Sequence, residues 1–415
     1  MVLTSIFPGA RSELTATFEL PHWIAEGLGS GAYERIGGVI LNSGTKQVVA
    51  WLREASSISP QGFGTGVLNL FVSGVNTAVS VKGFADVKQQ LGGIEQNLQH
   101  VKRVMQVSAA PSVLNLGVSV MGFALVMQRL NELEQRLKIS QELLNKVNRK
   151  IDIGYYANFK AAVGLAVNAF HMTKAENRER MAIEAINRFL EAEHIYTDYT
   201  ESELKQGSLI AHEYLLTLSL AYVAEARCHL ELGEPDTALH RFTEGASVLR
   251  SFIEKYVELL LTSNPAAYLQ PQFKGKIDLH RLTRIYQWID PSLDENAVFE
   301  LQRENLIKLD QDYDKWIRTL PKAIWDPALD WTGKAPWDNP NSEIFARLPN
   351  TLEVVESMVE TNRRFQAYQA EVYALIHLGI SFQEWLQLAP STEEKLDGYE
   401  LMYIIPSKPL EMVVA

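Results

Sequence analysis

Apolar side chains between residues 84 and 151 recur at alternating intervals of three and four, the spacing that draws one stripe along a helix. Phe84, Val87, Leu91, Ile94, Leu98, Val101 and Met105 form the first stripe, and Phe123, Val126, Leu130, Leu133, Leu137, Leu144, Val147 and Ile151 form the second, with Ser140 its one polar member. The two stripes belong to an internal repeat. NTAVSVKGFADVKQQLGGIEQNL over residues 76–98 returns 39 residues later as NLGVSVMGFALVMQRLNELEQRL over 115–137, with 13 of 23 positions identical. Pro111 interrupts a continuous rod. The pattern therefore predicts two long helices, 66–106 and 112–151, each about 60 Å at 1.5 Å per residue, folded back as an antiparallel hairpin.

Each stripe is preceded by a stretch without Asp, Glu, Lys or Arg, residues 55–81 and 104–128. Both exceed the roughly 20 residues that span a bilayer, but Ser, Gly, Asn, Gln and Pro dilute them. Around residues 113–127 a helix would be apolar on all sides and would need covering. Val113, Leu116, Val120, Phe123 and Val126 are accordingly the candidates for assembly or membrane contact. Burial by the chain's own helices is the plainer alternative, since Gly and Ala allow close helix contacts.

Period-two patterning is confined to the first 54 residues. A short helix is expected after Pro21 and should stop at glycines. RIGGVILN and KQVVAWLRE then flank Ser43-Gly44-Thr45 as a hairpin, although Gly37 and Gly38 weaken its first strand. A two-stranded ribbon is marginal alone. Residues 399–405 near the C-terminus are its candidate third strand.

Residues 155–263 read as helices with short breaks. In AYVAEARCHLELGEPDTALHRF, Ala226, Gly233, Ala238 and Phe242 fall at small and aromatic positions, and here the chain resembles tetratricopeptide helix pairs. Glu225 and Gly245 depart from that pattern, and an earlier echo at Ala185, Phe189 and Ala192 lies 53 residues upstream instead of 34. The resemblance covers about a quarter of the chain and implies a helical scaffold with a peptide-sized groove. The C-terminal third is helical again. Its final helix, 351–378, should bury Leu352, Val355, Met358, Phe365, Tyr368, Val372 and Leu375 and end at Gly379. Before it lies a loop with Trp325, Trp331 and Trp337 among four prolines, whose indoles either anchor the loop in the core or form a recognition surface.

The predicted architecture is mainly α: a small helix plus β-hairpin (1–54), a duplicated helical hairpin of coiled-coil type (55–154), a tetratricopeptide-like helical region (155–263) and a C-terminal helical region (264–415). At 415 residues, 47% hydrophobic and 21% charged, it is long enough for several cores. A net charge of -11 without clustered Lys and Arg argues against nucleic-acid binding. The lone Cys228 leaves no intrachain disulfide and fits a reducing compartment. With no signal-like start, a cytoplasmic protein is expected, membrane-associated only on activation.

No catalytic motif emerges. GFGTG at 62–66 lacks the Lys-Ser or Lys-Thr of a phosphate loop. His194 and the pair His212-Glu213 have no second histidine at zinc-site spacing, and Glu191 with Glu193 reads as solvated surface. Neither a metal nor a cofactor is called for. The expected function is non-enzymatic: self-assembly or conditional membrane insertion through the helical hairpin, in the manner of α-helical pore-forming effectors. The competing expectation is a soluble tetratricopeptide-type scaffold for a protein or peptide partner.

Overall fold

The computed structural model describes residues 14–17, 21–54, 112, 114–144, 154–208, 210–262, 268–269, 279–311, 341–388, 401–408 and 410. It is mainly helical, as the periodicity predicts, with one small sheet. The first helix of the expected hairpin, the coiled-coil pairing that depends on it and the tryptophan loop lie outside these residues. The chain forms two compact units. A sheet unit comprises 1–122, 225–244 and 360–415, and a helical unit comprises 123–224 and 245–359.

The sheet unit is built on five strands, β1 (Leu14–Thr17), β2 (Tyr33–Ile36), β3 (Val39–Asn42), β4 (Val48–Glu54) and β5 (Leu401–Pro406), in the order β1-β5-β4-β3-β2. All neighbours are antiparallel. The expected C-terminal partner is present, with Trp51 opposite Ile404. The run RIGGVILN, expected as one strand, divides into β2 and β3 because Gly37 takes φ 53° and turns the chain. β1 lies outside the expected strands, although Leu14, Ala16 and Phe18 alternate with Thr15, Thr17 and Glu19, and it pairs with β5. Between β3 and β4 the Asn42 side chain accepts the amide protons of Gly44 and Thr45, closing the turn. Helix α1 (His22–Ser30) ends at left-handed Gly31 and buries Ile24 and Leu28 in a core with Ile40, Ala50, Leu52, Leu116 and Tyr403.

The helical unit begins with α2 (Phe123–Leu144), α3 (Gly154–Phe170) and α4 (Ala175–Lys205). In the second heptad stripe Val126, Leu130, Leu133 and Leu137 are buried at 0–1% exposure. Helix α2 packs on α3: Phe123 stacks on Phe170 with centroids 5.6 Å apart, and Lys160 pairs with Glu134. Small residues Ala162, Ala166, Ala182 and Ala185 are fully buried where α3 packs on α4. Beside them Tyr156, Phe159, Phe189 and Tyr196 pack edge to face. Glu193 is a correction to the solvated reading. It is buried at 5% exposure because the helical period turns it inward, whereas Glu191 stays outside and pairs with Arg188.

Three helices contribute residues to both units: α5 (Ala211–Glu231), α6 (Pro235–Val257) and α9 (Asn341–Leu378). A π-helical turn, Glu258–Thr262, follows α6, and the Tyr268 hydroxyl donates to the Leu260 carbonyl there. Helices α7 (Leu279–Ile289) and α8 (Glu295–Gln311) pack together in the helical unit. Arg281 on α7 holds Glu356 on α9 at 2.6–2.9 Å. The predicted buried residues of α9 are all buried, and left-handed Gly379 ends it, but it starts ten residues earlier than expected and runs through Pro349. A short α10 (Phe382–Leu386) follows with a Ser381/Glu384 capping box.

Candidate functional site

Residues 112 and 114–122, expected as the start of a long helix, are not helical. α2 begins only at Phe123, and the boundary between the two units falls between Gly122 and Phe123. The local reason is composition, since Asn115, Gly117 and Gly122 are poor helix formers. The tertiary reason is stronger. The segment runs through the sheet unit with the amides of Val120, Met121 and Gly122 bonded to nearby carbonyls in a turn and the polar groups of Leu114 to Ser119 held largely by side chains from distant elements.

Three elements supply those side chains. The Glu54 carboxylate at the end of β4 accepts the Leu116 amide proton with both oxygens, at 2.9 and 3.1 Å. On α9, Glu371 accepts from the Val118 amide at 2.8 Å, Arg364 donates to the Leu114 carbonyl and the Tyr368 hydroxyl donates to the Asn115 carbonyl. Arg227, near the end of α5, donates to the carbonyls of Val118 and Ser119 at 3.2 Å each. Its guanidinium also lies 4.5 Å from the centre of the Phe382 ring on α10. Ser112 and Thr361 share a hydroxyl hydrogen bond at 3.0 Å. Leu116 completes the seat by entering the apolar core under the sheet.

The holders are themselves tied. Arg35 on β2 meets Glu360 through two hydrogen bonds of 3.0 Å, and Arg364 reaches the same carboxylate at 3.2 Å, all three side chains at most 5% exposed. Burial alone would raise the Glu360 carboxyl, but the two guanidiniums outweigh it and hold it below the ordinary carboxylate range. Glu371 is shifted the other way. Burial raises it, against the opposing pull of the Trp385 indole N–H, the Val118 amide and the Arg53 charge. Burial likewise pushes the Arg53 guanidinium down, to about 10, against the attraction of Glu371. Arg53 donates to the carbonyls of Trp385 and Leu388, which fixes its stem beside the segment.

Close backbone approaches complete the geometry. A Cβ on Gly38 would fall 2.2 Å from the Leu116 carbonyl oxygen, and one on Gly37 would fall 2.4 Å from the Arg363 carbonyl oxygen. The glycine turn between β2 and β3 is therefore required by the segment and by α9 as well as by its own φ. A Cβ on Gly117 would meet the Arg53 Cβ at 2.7 Å.

Of the residues singled out from sequence, Leu116 and Val120 belong to this seat, buried and partly exposed respectively. Phe123 and Val126 are buried in the helical unit, so the five candidates do not make one surface. Val113, Trp325, Trp331 and Trp337 lie outside the described residues. Sequence reasoning missed Glu54, Arg227, Glu360, Arg364, Tyr368 and Glu371. A signal existed for four of them, because 360, 364, 368 and 371 follow helical spacing beside the buried Phe365, Val372 and Leu375. Charge on such a face reads as solvent-exposed until a partner is known.

The arrangement binds a backbone. Among the described residues no three His, Cys, Asp or Glu side chains are grouped as metal ligands, and no helix is long and apolar enough to cross a membrane. Cys228 is buried, and burial raises its thiol far above the thiolate range. In the helical unit the buried Glu213 is held by His212 at 3.0 Å and by the half-exposed Arg136 at 2.7 Å. Comparisons with protein-family models, curated proteins and solved structures give no match to this chain.

Proposed function

We propose that the chain is a non-enzymatic helical protein that works by releasing its duplicated apolar segment, for self-assembly or for conditional entry into a membrane. The observation that carries this reading is the state of residues 112–122. They form an apolar stretch directly preceding an amphipathic helix, yet their backbone is held in a bent, non-helical course by carboxylates, guanidiniums and a phenol on distant parts of the chain. Such contacts are cooperative and are lost together, which suits a segment with a stored and a released form. Once free, the segment can continue the helical hydrogen bonding of α2 toward the N-terminus and present its apolar circumference to another copy or to lipid.

The lock is testable at Ser112 and Thr361, whose hydroxyls touch. In a Cys228→Ala background, Ser112→Cys with Thr361→Cys should close a disulfide, its folding checked by circular dichroism. The oxidised protein should stay monomeric by light scattering and release no dye from liposomes, and reduction should restore whichever activity the unlocked chain shows. An unlocked chain that neither assembles nor acts on liposomes across pH and lipid composition would end this reading.

A second reading, a tetratricopeptide-type scaffold, has its own support. α5 and α6 are joined by a tight turn with left-handed Gly233, and Ala226, Ala238 and Phe242 are fully buried there. Binding of peptide ligands by the disulfide-locked chain would favour it.

A further inference from the structure

The seat that holds residues 112–122 grips mainly backbone, and backbone contacts are indifferent to side chains. Its near twin in the same chain shares much of the sequence: Asn76, Val79, Ser80, Val81, Gly83 and Phe84 repeat Asn115, Val118, Ser119, Val120, Gly122 and Phe123. On backbone contacts alone either copy would fit. Three positions differ between residues 76–84 and 115–123, and each falls where the seat has no tolerance.

Leu116 is buried in the sheet core at 3% exposure, and the first copy offers Thr77, which surrenders apolar area and brings a hydroxyl without a partner there. Gly117 becomes Ala78. Its methyl would fall 2.7 Å from the Arg53 Cβ, and that stem cannot retreat while the guanidinium is tied to Trp385 and Leu388. Met121 is fully buried and its sulfur receives the Asn115 amide proton at 3.3 Å. The first copy offers Lys82, which has no acceptor and would carry a charge into that space.

We infer that this cradle is a peptide-recognition site selective for the second copy of the repeat over the first. Its ligand class is an apolar segment that bends through a turn, with leucine, glycine and methionine at the positions of Leu116, Gly117 and Met121. In this structure the chain's own segment fills it, and the same segment of a second copy satisfies the same contacts. The selectivity goes beyond the proposed release, because it holds whether or not the segment ever leaves.

The test uses a full-length chain in which residues 114–121 are replaced by glycine and serine, leaving the seat vacant. Fluorescent peptides of residues 112–123 and 73–84 are titrated by anisotropy. The second-copy peptide should bind, the first-copy peptide should bind at least tenfold more weakly, and Ala78→Gly with Lys82→Met in the latter should recover most of the difference. Equal affinities, or no binding of the second-copy peptide to a folded vacated chain, overturn the inference. Should the vacated chain not fold, Gly117→Ala in the otherwise natural chain decides the matter. Amide exchange over 114–122 should then accelerate at least tenfold relative to 402–405 of β5, and unchanged exchange overturns the selectivity.

Discussion

Residues 112–122 in the sheet unit and helices α3 and α4 in the helical unit are both buried, but they solve the same problem in opposite ways. In α3 and α4 each backbone group finds its partner a turn away, and burial is left to alanines and to the aromatic cluster of Tyr156, Phe159, Phe189 and Tyr196. Around 114–119 backbone partners include Glu54, Arg227, Arg364, Tyr368 and Glu371, far away in sequence, and only the amides of 120–122 close a local turn. Local bonds survive the loss of a neighbour. A segment held by other elements depends on each of them, and each holder is a desolvated group whose own partner must stay in place. Stability built from helices is thus graded, while the segment's attachment is close to all or none.

The sharpest way to break this contrast is Glu360→Ala, which strands the buried guanidiniums of Arg35 and Arg364. A loss of about 3–5 kcal/mol is expected, measured by urea denaturation, and a loss below about 1 kcal/mol would show that the ionic cluster does not support the seat. Ala238→Leu probes packing instead of polarity. Ala238 is fully buried, so the substitution should overpack its helix crossing by about 1–3 kcal/mol, visible as a lowered melting temperature. An unchanged melting temperature would remove the support that this crossing gives to the scaffold reading.

Tyr368→Phe deletes one hydroxyl and leaves the Asn115 carbonyl without that donor. The expected loss is about 1–2 kcal/mol, and amide exchange should rise over 114–119 before it rises in β5. Uniform exchange across the sheet unit would mean that the segment has no separate opening.

Acid provides a smaller and signed comparison. Glu360 is held below the usual carboxylate range, so its contribution is present above the unfolded value of about 4.5 and is lost as pH falls through the folded one. Glu371 is raised, so its contribution is fully present below about 4.5 and fades as pH rises through its folded value. Denaturation midpoints between pH 3 and 7 should therefore show Glu371→Gln flattening the fading limb above pH 4.5 while leaving the acid loss in place. A variant that abolishes the acid loss would assign it to Glu371 and not to Glu360. Smallest of all should be Arg188→Ala on exposed α4, within about 0.5 kcal/mol, because its pairs with Glu184 and Glu191 are in solvent.

What the sequence determined by itself is the set of structures whose partners are near in the chain. Periodicity alone marks α2 from Phe123 onward, the buried face of α9 and its glycine stop, because a helix satisfies its backbone locally and announces its buried side every three or four residues. A β-rich apolar run marks β4, and its partner strand is legible as β-rich sequence in residues 399–405. Only the tertiary structure decided the course of 112–122, where the same apolar pattern that predicts a helix yields to side chains from β4, α5 and α9. It also decided which strand β1 pairs with, the split of β2 from β3 at Gly37, and the burial of Glu360, Arg364 and Glu371. The physical reason is common to all of these. A charged or polar side chain is buried only when its complement arrives from elsewhere, and one sequence read in order does not say which distant residue that will be.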